Sequence, residues 1–412
     1  MGLEAIRQAM RHLWAHKVRS MLTLFGLVWG AAAVIFLVGW GRGVTVMLED
    51  GFFRAGKNMG EVWPGKLSEE FTPAVDRRYL WFNNYDVEAL RKRARLPEII
   101  GAEAWEMLPT VYHQRALSLD IRGIDPEVME IRGVSVAAGR GITHSDLEHR
   151  RRVVVLGDKT RRKLLGAKGT IGSYIRIAGK PFRVVGFLAP VGTQLSRDRM
   201  EIDDQAWVPL TTVQQNWPAW WTDEPVVNKI IYRMRDRHLL EETEDEVRAI
   251  LADQFGVSPD DEEAVGVWSS VKMLNKLPLD ELRGLMFILA TATLMIGGIG
   301  VLNMMIDAVH ERRYEIGIRL AVGARRRDVV AQFFVETVTI CFLGGLIGCS
   351  LGVGFSLLLG YLEVPDLIPV PVISWDIVVL AFVVLVFVGV LAGVIPAWRA
   401  AQVDPSETLR ME

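Results

Sequence analysis

Cysteine is nearly missing from this 412-residue sequence: Cys341 and Cys349 are the only two, and both fall in one uncharged stretch. The long segment from Arg42 to Arg283 therefore has no disulfide staples and must be stabilised by its own apolar core, which a segment of this size can supply. Charge is the second absence. Although 23% of residues are charged, the mean hydropathy is +0.22, and Ser20–Gly41, Gly284–Ile306, Thr337–Leu362 and Ile377–Trp398 contain no charged residue. Each window meets the ~20 apolar residues that a helix needs to cross a bilayer core. Because Asp307 and Glu336 lie only at the window edges, a hydrophilic pore is not expected; carriers of polar solutes place such groups near the membrane midplane. Catalytic signatures are missing too. There is no His-Glu-x-x-His, Gly-x-Ser-x-Gly, Cys-x-x-Cys or Gly-x-x-x-x-Gly-Lys-Ser/Thr, and the stretch from Gly166 to Thr170 lacks the spacing of a phosphate loop.

What is there is an asymmetry of arginine. Arg7, Arg11, Lys17 and Arg19 precede the first window, and Arg312, Arg313, Arg319, Arg325, Arg326 and Arg327 fill the loop after the second. Basic residues near span ends resist translocation, so both segments should be cytoplasmic. The loop from Glu363 to Asp376 has no Lys or Arg and should lie outside. The first window is longer than the ~7 to 15 apolar residues of a signal peptide and lacks a cleavage site, so it is expected to remain as a span. The fold class expected is a membrane protein with four transmembrane α-helices and one large extracytoplasmic α/β domain. Its segments are an amphipathic helix at 1–19, spans at 20–41, 284–306, 329–362 and 377–398, an outer domain at 42–283, a cytoplasmic loop at 307–328, an outer loop at 363–376 and a cytoplasmic tail at 399–412.

In the outer segment short strands alternate with helices. Asp86–Leu96 and Asp158–Leu165 read as helices and Arg152–Leu156 as a strand. Tyr174–Ile177 is expected to pair with Phe182–Leu188 across a turn at Gly179, Lys180 and Pro181. The apolar run Val226–Met234 precedes a helical pattern stopping at Gly256. Two subdomains are expected, divided near Gly133–Gly192. His144, Asp146, Glu148 and His149 cluster, but histidines five apart do not align two ligands on one helix face, so a solvated loop is expected rather than a metal site. Trp217, Trp220 and Trp221 form an aromatic loop for which packing is favoured over contact with a partner, lipid or apolar substrate.

The spans carry glycine at every fourth residue: Gly26 and Gly30; Gly344, Gly348 and Gly352; Gly389 and Gly393. Such faces let another backbone approach, within the chain or in a second copy. The cytoplasmic loop is the most informative stretch. Glu311, Glu315 and Arg319 are four residues apart on one helix face, and Ile316, Leu320 and Ala324 line the next. A short helix of this kind suits docking into a protein groove, or resting on anionic lipid.

At this loop the sequence resembles the MacB-type permeases of the ATP-binding-cassette transporters, a group that includes FtsX and the lipoprotein-releasing permeases. The matching pieces are Arg19–Gly26, the Glu-Ile-Gly-x-Arg-x-Ala-x-Gly-Ala motif from Glu315 to Ala324, Gln332–Glu336 with Gly344 and Gly345, and Pro396–Ala401 with Asp404 and Pro405. In the outer domain they are Gly139, Arg140, Asp146, Val155–Gly157, Gly172 and Val184–Gly186. The resemblance implies a dimeric permease, with a second copy or a paralogue, whose coupling helix docks on an ATPase. The coupling residues would be Glu311, Arg312, Arg313, Glu315, Ile316, Gly317, Arg319, Ala321, Gly323, Ala324 and Arg325. It implies motion passed to the outer domain through stalk extensions of the first two spans, and a possible periplasmic adaptor. ATP and magnesium would be bound by a separate ATPase subunit; this chain should be no enzyme and bind no cofactor, metal or nucleic acid. An FtsX-like regulator of an extracytoplasmic enzyme, a lipoprotein- or lipid-trafficking permease, and a membrane-anchored sensor or enzyme without an ATPase remain open as alternatives.

Overall fold

Among the described residues, four helices are long and apolar enough to cross a membrane: Lys17–Phe53, Leu279–Glu311, Arg326–Tyr361 and Trp375–Ala401. The computed structural model describes residues 17–402 except 55, 69–78, 167–168, 197, 199, 223, 363–364 and 366–367. The amphipathic segment before the first span and the cap at Asp404, Pro405 and Glu407 lie outside the described residues. The chain divides into two compact units, residues 1–47 with 278–412, and residues 48–277.

In the first unit, Leu27, Ala31, Leu294, Val301, Phe333, Ile340, Ala381 and Leu385 form the core of a four-helix bundle. Large apolar side chains such as Phe25, Ile296, Phe355 and Phe387 face outward, as hydrocarbon-facing positions require. The first helix has 37 residues and the second 33. At ~1.5 Å per residue both exceed a ~30 Å hydrocarbon core. The first span near Arg42 and the start of the fourth span are tied together. Arg42 Nη1 donates to Ser374 Oγ (2.7 Å) and Asp376 Oδ2 (2.9 Å), and Val372 N donates to Gly39 O (2.9 Å).

The second unit is built on one ten-stranded mixed sheet. In chain order the strands are β1 (Met59–Pro64), β2 (Phe82–Asn83), β3 (Pro97–Tyr112), β4 (Arg115–Ile124), β5 (Val136–Gly139) and β6 (Val153–Leu156). They continue with β7 (Tyr174–Ile177), β8 (Lys180–Leu188), β9 (Gln205–Pro209), β10 (Val226–Val227), β11 (Lys229–Met234) and β12 (Val265–Ser269). The large sheet runs β12-β1-β11-β3-β4-β9-β6-β8-β5, with β7 on β3 and β8, while β10 and β2 form a separate pair. The sheet crosses the division expected near Gly133–Gly192, so the two halves share one scaffold. The alternation of a strand sends successive side chains to opposite faces. Val154, Leu156 and Ile230 join one apolar cluster with Val87, Leu90, Val247 and Leu251 of helices Asn84–Arg93 and Leu240–Phe255. Val153, Val155 and Ile231 join another with Val128 and Ile131 of helix Pro126–Ile131.

Local expectations are corrected in detail. The β7–β8 turn is Ala178 and Gly179, with φ of 44° and 81°, and Lys180 and Pro181 already belong to β8. Two successive positive φ values are what a two-residue hairpin needs, and Gly179 supplies the second without strain. The segment at Asp158–Leu165 is a single α turn followed by a π turn, Arg161–Leu165. The run Val226–Met234 is two strands, interrupted at Asn228, which accepts from Trp105 N (3.0 Å). Helix Leu240–Phe255 ends as expected, with Gly256 left-handed.

Across β1, β11, β3 and β4 lies a buried ion network. Arg132 Nε donates to Glu103 Oε1 (2.7 Å) and its Nη2 to Asp198 (3.0 Å). Arg122 Nε donates to Asp120 Oδ2 (2.9 Å) and its Nη1 to Asp198 (3.2 Å). Lys229 Nζ reaches Glu61 (3.0 Å) and Asp198 (2.8 Å). Burial alone would raise the Glu103 and Asp198 carboxyls, but the combined field of Arg132, Lys229 and Arg122 outweighs it and holds both below their ordinary 4.5 and 3.8. The unfolded chain then binds more protons there than the folded one, so stability is present above that range and is lost as pH falls through it. Asp120, raised by burial against the attraction of Arg122, contributes the opposite slope, one group against two. Unfolding followed by tryptophan fluorescence should show stability falling steeply below about pH 4, with a shallower slope in Glu103→Gln. An equal slope in wild type and variant would refute this assignment.

Candidate coupling site and helix-packing face

The second long helix ends at Glu311, which therefore belongs to that span, and the short helix that follows, where coupling is expected, is Arg313–Ala321. Arg312 sits at the joint. The short helix closes with Gly323 at φ +101°, Gly323 N donating to Leu320 O (3.1 Å) and Ala324 N to Arg319 O (3.0 Å). This is a Schellman termination, whose residue past the cap needs a positive φ. Gly323 is thus required by the turn, with open space where a side chain would stand. Arg325 caps the next helix, Arg326–Tyr361.

Burial sorts the faces of this short helix differently from the sequence pattern. Ile316 is buried in the bundle core with Leu320 packed beside it, and Gly317 is buried as well. The stripe expected to dock outward is therefore spent on the chain's own bundle. The outward apolar stripe is Tyr314, Ile318 and Val322, at 54%, 39% and 85% exposure, four residues apart and so on one face. Glu311, Glu315, Ala321, Ala324 and Arg325 are exposed, and Arg312 and Arg313 half-buried. Arg319, spaced to pair with Glu315, instead donates from Nη1 to Gln332 Oε1 (2.8 Å). Arg312 Nη1 reaches Glu336 Oε2 at 3.4 Å, and Glu336 is buried. Gln332 and Glu336 are one turn apart on the third span. The joint and the coupling helix are each held to that span by an arginine.

Each of the seven four-residue-spaced glycines abuts a helix of the same chain. A side chain on Gly26 would meet Gly297 Cα at 3.6 Å, and on Gly30 Leu294 Cα at 2.9 Å. Gly344 faces Leu27 Cδ2 (2.4 Å), Gly348 faces Val28 O (2.5 Å) and Gly352 faces Ala32 O (3.0 Å). Gly389 and Gly393 face Cys341 Sγ (2.7 Å) and Thr337 Cβ (3.1 Å). The first span is thereby seated on the second and third, and the third on the fourth.

The family model of the MacB-like periplasmic core domain matches residues 20–250, just over half of the chain, and that of the FtsX-like permease C-terminal matches 287–405. The chain is a MacB-type permease of the ATP-binding-cassette transporters. It is 28% identical to the uncharacterized ABC transporter permease YknZ of Bacillus subtilis, over 100% of this chain and 99% of that one. It is 30% identical to the macrolide export ATP-binding/permease protein MacB of Bordetella avium, again over 100% of this chain but only 60% of the relative. The extracellular domain of YknZ superposes on 51% of the chain with a TM-score of 0.41 and 20% identity.

Of the remaining sequence candidates of this MacB-type permease, Asp146 and Trp217 have structural roles. Asp146 is fully buried, accepts from Arg140 Nη2 (3.0 Å), Thr143 N (3.1 Å) and Thr143 Oγ1 (2.8 Å), and caps the helix His144–Glu148. Among the described residues no group of side chains could hold a metal ion. Trp217 stacks on Phe182 with ring centroids 5.8 Å apart, whereas Trp220 is 91% exposed. The Tyr314, Ile318 and Val322 stripe and the Arg319 and Arg312 anchors were not singled out by sequence. The four-residue spacing of 314, 318 and 322 was the available signal.

Proposed function

We propose that this permease couples ATP hydrolysis on a separate cytoplasmic ATPase subunit to movement of its outer domain, driving export or release of a substrate from the periplasm or outer leaflet. Relatives are named as exporters of macrolides and, for one in Pseudomonas syringae, of syringafactin. The chain spans about 60% of the length of these relatives, and no phosphate-loop motif occurs within its 412 residues. In keeping with the relative named as a permease, YknZ, which the chain matches over 99% of its length, the ATPase is assigned to a partner, the arginine-rich joint to the cytoplasmic side, and dimerisation to a second permease copy. The carrying observation is the exposed Tyr314, Ile318 and Val322 stripe on a short helix anchored to the third span. Apolar side chains at this spacing are the anchors of helix-in-groove recognition. The lengths of the first two helices beyond the bilayer supply the stalks through which motion would pass.

The test is Ile318→Asp. As an exposed substitution it should leave the bundle within ~0.5 kcal/mol of wild type. A charge buried unpaired at the centre of a docking surface costs ~2 kcal/mol or more, about 30-fold in affinity. Copurification of the ATPase, and ATP turnover in the membrane complex, should fall accordingly. Lipid resting would depend on the six arginines, which the variant keeps, so retained ATPase and turnover in Ile318→Asp would remove the support for docking.

A further inference from the structure

The first helix contains a weak point of its own. Gly39, Gly41 and Gly43 fall within five residues, interrupted only by Trp40 and Arg42, where the uncharged window ends. Glycine is, after proline, the residue least favourable to a helix interior, and closely spaced glycines are among the places where long helices kink. Yet the helix runs unbroken from Lys17 to Phe53. Side chains of this stretch cannot stiffen it, so its support comes from outside.

Two neighbours supply that support. Residues 370–376, which lead from the loop after the third span into the fourth, lie along Gly39 and Gly43. A side chain on Gly43 would fall on Val370 O, with Pro371 Cα at 3.5 Å; on Gly39 it would meet Ile373 Cδ1 at 2.9 Å and Val372 O at 3.4 Å. Val372 N donates to Gly39 O (2.9 Å), and Arg42, between the two glycines, donates to Ser374 Oγ (2.7 Å) and Asp376 Oδ2 (2.9 Å). Pro369 and Pro371 fix their own φ and restrict Ile368 and Val370 before them, so this segment is stiff. The second helix covers the remaining glycine. A side chain on Gly41 would lie 3.3 Å from Met286 Cγ, and Arg283 Nε donates to Thr45 Oγ1 (3.2 Å) nearby. All of these residues belong to one compact unit. The glycines thus do two things at once: they weaken the helix, and they let a proline-stiffened backbone sit directly on it.

We propose that residues 39–43 are a hinge in the first helix and that residues 370–376 are the strap that holds it straight. The strap, rather than the helix, then determines whether residues 44–53 follow the span or swing from it. This goes beyond the coupling assignment and does not rest on it, and its test needs no ATPase. Hydrogen–deuterium exchange is followed by mass spectrometry on the full chain in lipid nanodiscs. Gly43→Leu lifts the strap by bulk, and Val372→Pro removes its backbone donor without altering the helix. In both, the amides of residues 39–47 should exchange roughly 10-fold faster than in wild type, while residues 294–305 of the second helix and the thermal unfolding midpoint stay unchanged. Helix propensity alone predicts the opposite sign for Gly43→Leu, since leucine favours the helix that glycine weakens. Adding Gly41→Ala, whose methyl group meets only the Met286 side chain, stiffens the hinge and should return Gly43→Leu toward wild-type exchange. Exchange that is unchanged or slower in either strap variant, faster exchange that spreads through residues 294–305, or no slowing on adding Gly41→Ala would each overturn the assignment.

Discussion

Gly348→Leu is expected to dismantle the transmembrane bundle. Even the first carbon of a side chain there would stand 2.5 Å from the carbonyl oxygen of Val28 and 2.7 Å from Ala31 Cβ. The oxygen belongs to backbone, so no rotamer change relieves the contact, and the first span must move away from the third. Inside a bilayer lipid is as apolar as the displaced partner, so close packing is a principal source of helix association and has little to replace it. Overpacking of this kind costs about 3 kcal/mol or more. Gly354 provides the control: it is exposed, and a side chain's first carbon there would have nothing within 4 Å, so Gly354→Leu should behave as wild type. Thermal unfolding and size-exclusion profiles in detergent would separate the two, and a Gly348→Leu protein as stable as Gly354→Leu would contradict the packing role.

How much of this was legible in advance depends on the range of the interaction that decides each feature. The spans are decided locally, since an uncharged helical run long enough for a bilayer has few alternatives. The end of helix Leu240–Phe255 at Gly256 and the β7–β8 hairpin also rest on neighbouring residues. The β3–β4 hairpin was not visible: its turn at His113 and Gln114 has neither Gly nor Asn, and Pro109, opposite Ser118, breaks the strand pattern in the sequence though β3 runs through it. The continuous sheet was hidden for the same reason, because pairing of β4 with β9 and of β6 with β8 joins distant segments.

At the sites, residue identity was legible and orientation was not. The coupling helix carries two apolar stripes at the same spacing, Ile316 with Leu320, and Tyr314 with Ile318 and Val322. Helical periodicity cannot say which is covered; the bundle core does, by enclosing Ile316. The buried ions were not visible because no local pattern around Asp120, Arg122 or Lys229 marks their charges as meeting. Only the register that brings β1, β11, β3 and β4 side by side shows that their charges meet.

The pair formed by Arg312 and Glu336 should give the second large effect, and it separates holding the fold from passing on motion. Glu336 is buried in the bundle and Arg312 lies at the joint between the second span and the coupling helix. In Arg312→Met the carboxylate is left without this cation, and breaking a buried pair from one side costs ~3 to 5 kcal/mol. Adding Glu336→Gln removes the stranded charge, so the double variant should recover most of that loss, with a coupling energy of at least about 2 kcal/mol in the cycle. Stability alone would thus be repaired. Transmission should not be, because the joint is no longer fastened to the third span by charge, while the outward stripe of Tyr314, Ile318 and Val322 is unchanged. The double variant should therefore retain its ATPase on copurification and yet show lowered ATP turnover in the membrane complex. If the single variant is as stable as wild type, the pair has no structural weight; if the stable double variant turns over ATP at the wild-type rate, the pair has no part in coupling.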